Sequence, residues 1–115
     1  MRIIVCGGRN YANKVGAFLL LDQVHAEYHI TNIIEGGARG ADRLARDWAI
    51  YRDIPFTTVN SNWDQFGKSA GYKRNVRMAT EFKPDAVIAF PGGVGTQHMI
   101  TIAKQRKLEV LEVTE

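Results

Sequence analysis

The chain of 115 residues has one cysteine, no apolar run longer than five residues and no pronounced excess of either charge. A lone Cys6 excludes an internal disulfide, which is the pattern of a reducing compartment. The longest apolar runs, such as AFLLL at 17–21, fall far short of the roughly 20 residues that cross a bilayer. The opening MRIIVCGG has none of the regions of a secretory signal. A cytoplasmic location without membrane attachment is therefore expected. The three histidines, His25, His29 and His98, have no metal-ligand spacing to the cysteine, so no metal site is expected. Nor does the composition suggest disorder, because 45% of the residues are apolar and 23% charged. The net charge of +3 favours anionic ligands without choosing among them.

Five short runs rich in β-branched and apolar residues are present: RIIVC (2–6), TNIIE (31–35), FTTV (56–59), AVIAF (86–90) and EVLEV (109–113). Segments of helical spacing separate them. In one, Ala41, Leu44, Ala45, Trp48 and Ala49 form a stripe from which Arg43, Arg46 and Asp47 turn away. The others span about 14–28, 71–82 and 96–106. Strict alternation of strand and helix predicts an α/β fold, a Rossmann-like three-layer α/β/α sandwich. The expected sheet is parallel and five-stranded, in the order 3-2-1-4-5, within one domain over residues 1–115. Only the connection NSNWDQFGKSA (60–70) is long and aperiodic, a feature common in functional loops.

Glycine clusters follow three strands: CGGRNY after the first, EGGARGAD after the second and PGGVGT after the fourth. Ligands of open parallel sheets bind beyond the carboxyl ends of the strands, where the winding reverses. The expected order makes the first and fourth strands neighbours there, so Gly7, Gly8 and Arg9 face Pro91, Gly92, Gly93, Gly95 and Thr96 across one crevice. Gly36, Gly37, Arg39, Gly40 and Asp42 flank it. Glycine admits close approach of backbone amides to an anion, and a helix N-terminus adds unpaired N–H groups. Thr96 either caps that helix or bonds the anion. One glycine after a strand is merely a turn, but three clusters at one sheet edge point to a phosphate site. None fits G-x-G-x-x-G or G-x-x-x-x-G-K-[ST], which disfavours an ordinary dinucleotide or ATPase site.

Four ordered motifs, GGRNY, GGARGADRLARDWA, W-x-x-x-G-K-S-A-G-x-x-R-N-x-x-M and DAVIAFPGGVGT, resemble the YspA-like, cpYpsA-related branch of the SLOG superfamily. That superfamily takes its name from the DNA-processing protein Smf/DprA and the Lonely Guy enzymes. The resemblance runs from Gly7 to about Ala103 and implies recognition of nucleotides, nucleotide-derived signals or nucleic acid. It also matches Arg74 and Asn75, where arginine can grip a phosphate and asparagine a ribose or base. Homodimers are common among such domains, and a homodimer is expected here.

The Lonely Guy motif P-G-G-x-G-T-x-x-E ends on a glutamate that serves ribose binding and catalysis, and here that position is Met99. A thioether neither accepts a proton nor stabilises an oxocarbenium-like centre. Glu35, Asp42 and Asp64 are the remaining carboxylates near the crevice. Each has a plainer reading, as a strand-end residue, a first-turn helix acid and a solvated loop acid respectively. Tyr11, Trp63 and Phe66 either stack on a base or anchor their loops. Cys6 reads as a small buried hydrophobe. The expected function is nucleotide or nucleotide-derivative binding, as a sensor or sequestering protein with little turnover and no further cofactor. The alternatives are a phosphoribohydrolase or N-glycosidase acting on nucleoside monophosphates, and single-stranded nucleic-acid binding. The last is disfavoured because no continuous basic and aromatic stripe is visible.

Overall fold

A computed structural model describes the backbone of residues 1–115 and the side chains of all but Trp63, Asp64 and Lys68. Five strands, β1 (Arg2–Cys6), β2 (Asn32–Glu35), β3 (Phe56–Thr58), β4 (Ala86–Ala89) and β5 (Glu109–Glu112), form one parallel sheet in the order β3-β2-β1-β4-β5. The expected order and the Rossmann-like architecture are both present.

Period-2 alternation of side chains distributes the central strands between two cores. Ile3, Val5, Ile33, Ile88 and Phe90 face one way and pack on Ala17 and Leu21 of helix α1 (Lys14–Tyr28) and on Ala45, Trp48 and Ala49 of α2 (Ala41–Tyr51). Ile4, Ile34 and Val87 face the other way, onto Met78 of α4 (Ala70–Glu81) and onto Met99 and Ala103 of α5 (Val94–Gln105). Apolar burial on both faces is what a parallel sheet requires. Trp48 is wholly buried and donates its indole N–H to Asp22 Oδ1 at 2.8 Å. Asp22 also holds Arg52 through two bonds, tying α1 to α2. That arginine bond holds the Asp22 carboxyl below its ordinary range.

Two differences from expectation bear on the site. The connection at 60–70 contains a short helix α3 (Trp63–Phe66) and a 3₁₀ turn at Gly67–Ser69. Asn62 starts it by accepting from the Gln65 amide at 3.1 Å, and four residues are too few to show a helical period. Helix α5 begins at Val94, two residues before the expected start. Its N-cap is Gly93, without a side-chain cap, so Thr96 is a first-turn residue and not the cap.

The register levels Cys6 of β1 with Ala89 of β4. Their following loops therefore meet where the winding reverses: the Gly8 amide donates to the Pro91 carbonyl at 2.8 Å. Among the described residues, no helix is long and apolar enough to cross a membrane.

Candidate functional site: a two-compartment crevice at the sheet's carboxyl edge

Beyond the ends of β1, β2 and β4 lies a crevice of about 380 Å³. It is lined by Gly7, Gly8 and Arg9 of the first loop, Gly36 and Asp42 of the second, Arg74 and Asn75 of α4, and Gly93, Gly95 and Thr96 of the fourth loop. A second space of about 410 Å³ adjoins it, lined by Arg9, Gly36, Gly37, Arg39, Asn60, Ser61 and Arg74. Arg9, Gly36, Ala38, Ser61 and Arg74 belong to both.

The glycines divide by what a side chain would meet. A Cβ at Gly7 would lie 2.6 Å from the Ala41 Cβ, and one at Gly92 would strike the Thr96 hydroxyl and lie 2.7 Å from the Gly8 nitrogen. Gly40, at φ +78°, would drive a Cβ into the backbone of Gly8 and Arg9. These positions let the three loops touch. Gly93 and Gly95 are different, because a Cβ there meets nothing within 4 Å. Both line the crevice.

The two glycine-rich loops also treat their amides differently. In EGGARG, the Gly36 and Ala38 amides donate to Asp42 Oδ2, each at 3.2 Å, and the Gly37 amide donates to Glu35 Oε1 at 2.8 Å. Three successive donors are thus taken by the protein's own carboxylates. In PGGVGT, no acceptor among the described residues takes the amides of Gly92, Gly93, Val94, Gly95 or Thr96. The first helical turn has no intrahelical partner for its amides and carries partial positive charge.

Side chains complete the electrostatics. Arg74 donates Nη1 to the Gly36 carbonyl at 2.6 Å and Nε to Asn75 Oδ1 at 3.0 Å. Asn75 in turn donates Nδ2 to the Gly95 carbonyl at 3.1 Å and lies 3.2 Å from His98 Nδ1. Partial burial lowers the His98 pKa. Asn75 thus links Arg74 to the fourth loop while lining the crevice. Among the described residues, no carboxylate lies within salt-bridge distance of Arg9, Arg39 or Arg74.

Asp42 is buried, and burial raises its carboxyl from the usual 3.8 to about 6 against the opposing pull of the Ala38 amide and Arg74. Burial and the neighbouring Asp42 push the Cys6 thiol up to about 12. Cys6 lines the crevice, half-buried, and does not sit wholly in the core as the sequence suggests.

Several expected residues stand elsewhere. Glu35 is fully buried, bonded to the Gly37 amide and to the Thr58 hydroxyl at 2.7 Å, and lines neither compartment. Gly40, Pro91 and Gly92 line neither space and join the loops. Met99, expected to face the crevice, is fully buried in the second core among Ile4, Ile34 and Val87. The methionine that lines the crevice is Met78. Tyr11 stacks on Phe90 at 5.0 Å and donates its hydroxyl to the Glu115 carbonyl, so it anchors its loop. Phe66 lies under the Lys73 ammonium and outside both spaces. Trp63 and Asp64 have side chains outside the described residues.

Sequence reasoning missed Tyr72. It is 45% exposed, lines the crevice and meets the His98 ring edge-on at 4.6 Å. Its place three residues before Asn75, on the same face of the same helix, is the signal that would have found it.

The model of the YspA, cpYpsA-related SLOG family matches residues 1–66, more than half of the chain. The chain belongs to this SLOG family. The Gene 61 protein of Mycobacterium phage D29 is 31% identical to it over 118 residues, covering 96% of this chain and 94% of the phage protein. In this SLOG protein the family match covers the first two glycine loops, while the open-amide loop lies beyond it. Among its described residues, no group of three His, Cys, Asp or Glu side chains is placed to hold a metal ion.

Proposed function

We propose that this SLOG protein binds a nucleotide or nucleotide derivative, with a phosphate seated on the PGGVGT loop, and acts as a sensor or sequestering protein with little turnover. The observation that carries the reading is the set of free amides at the start of α5, opening onto the crevice at Gly93 and Gly95. Backbone amides and the helix dipole suit a phosphate, and Thr96 and Arg74 add side-chain donors. Tyr72 offers a ring for a base.

Isothermal calorimetry with adenosine monophosphate tests the seat. Replacing Gly93 with valine should weaken binding by roughly tenfold or more, because the side chain would occupy the phosphate's position. Unchanged affinity in a folded variant would remove the loop from the site.

One observation favours a second, enzymatic reading, that of a phosphoribohydrolase. Asp42 is the one carboxylate lining the crevice among the described residues, and a carboxyl raised to about 6 is suited to proton transfer. Incubation with the four ribonucleoside monophosphates, followed by chromatography of free base, separates the two. Base release at about 1 per second or faster would overturn the sensor reading. The same proposal includes pairing of two copies, supported by the exposed Val15 and Leu19 of α1 beside the Phe18–Tyr51 ring pair. Sedimentation equilibrium that finds only monomer at tens of micromolar would remove it.

A further inference from the structure

We infer that the second compartment is a subsite for a second phosphoryl group, so that the preferred ligand is a nucleotide bearing two phosphoryl groups. The inference rests on the nucleotide reading and adds the ligand class to it. One phosphate is accounted for by the free amides of α5. Those amides lie in the first compartment, because neither Gly93, Gly95 nor Thr96 lines the second.

The second space is as large as the first, about 410 Å³, and its recognition chemistry differs. Three successive amides of its glycine loop, those of Gly36, Gly37 and Ala38, are held by Asp42 and Glu35. Its wall is rich in cationic side chains. Arg9 and Arg39 are exposed and make no hydrogen bond to another described side chain or backbone group, and Arg74 keeps Nη2 free after placing Nη1 and Nε. Three guanidinium groups around one space, with Asn60 as a further polar group, fit the several oxygens of a phosphoryl group. Arg9 and Arg74 border both spaces, so the two anionic groups would lie on either side of a shared arginine pair. Among the described residues no acid lines the second space, and Asp42, which lines only the first, is turned onto the loop amides through Oδ2.

The test compares adenosine monophosphate, adenosine diphosphate and adenosine 3′,5′-bisphosphate by calorimetry, on the wild type and on Arg39→Gln. Arg39 lines only the second space and is exposed, so its loss should leave the fold intact. One of the two doubly phosphorylated ligands should bind about tenfold or more tightly than the monophosphate, and which one it is gives the spacing of the phosphoryl groups. Arg39→Gln should abolish that advantage while changing monophosphate affinity by less than about threefold. Equal affinity for all three ligands, or an equal loss for all three in Arg39→Gln, would overturn the inference. If no adenosine ligand binds, the nucleotide reading falls, and pyrophosphate against phosphate decides the subsite by itself. Absence of an Arg39-dependent preference for pyrophosphate would then overturn it.

Discussion

The EGGARG and PGGVGT loops look alike in sequence and stand at the same sheet edge, yet carboxylates take three amides of the first and none of the second. Closure comes from two carboxylates: Glu35 and Asp42 take three successive amides of the first of these loops. Among the described residues no carboxylate accepts from the amides of the second, and its helix carries Met99 into the core. A glycine-rich loop is therefore not in itself an anion cradle. Its amides are available only where no nearby side chain has already accepted from them.

The comparison breaks most sharply at Met99. Met99→Glu would place a carboxylate among Ile4, Ile34 and Val87, and an unpaired buried charge should cost several kcal/mol, about 3 or more, in urea unfolding. A stable variant would show that this part of α5 can turn toward the crevice. Next in size is the contrast between Gly92 and Gly93. Alanine at Gly92 should destabilise by about 2 kcal/mol through the clash with Thr96 and Gly8, whereas alanine at Gly93 should leave the melting temperature within about 1 °C. Equal effects would mean that both glycines serve packing.

Asp42 gives a pH signature to the closed loop. Its folded carboxyl, at about 6, holds a proton that the unfolded chain releases near 3.8, so its contribution to stability falls as pH rises through that window. Asp42→Asn keeps an oxygen acceptor for the Gly36 and Ala38 amides and removes the titration. Between pH 4 and 7, wild-type stability should fall relative to the variant by roughly 2 to 3 kcal/mol, measured by urea unfolding at each pH. Parallel pH curves would show that Asp42 stays solvated. The smallest effect is at Tyr72, where alanine should weaken a nucleoside monophosphate by about fivefold and leave inorganic phosphate binding unchanged, as competition calorimetry would report.

The strands and their order were legible because they depend on patterns: continuous apolar runs in RIIVC and AVIAF, strict alternation of strand and helix, and an apolar stripe from Ala41 to Ala49. The edge at which the glycine loops gather follows from that order. The partners of individual polar groups were not legible. Nothing in the spelling GGARGAD says that Asp42 reaches back to Gly36, or that Asn75 is occupied by Gly95, His98 and Arg74. The start of α5 differed by two residues, enough to turn Thr96 from a cap into a first-turn residue. Met99, one turn further along, lies over the sheet and packs among Ile4, Ile34 and Val87, a depth that spacing along the helix does not report.

Adjacent residues of α4 hold the two unlike loops: Arg74 grips the Gly36 carbonyl and Asn75 the Gly95 carbonyl. Neither loop can shift alone without straining the other's bond. A displacement of either loop is therefore passed to a single rod whose outer side carries the exposed Val76 and Arg77. By reciprocity, anything that grips that outer side more firmly in one loop arrangement than in the other must shift both loops together.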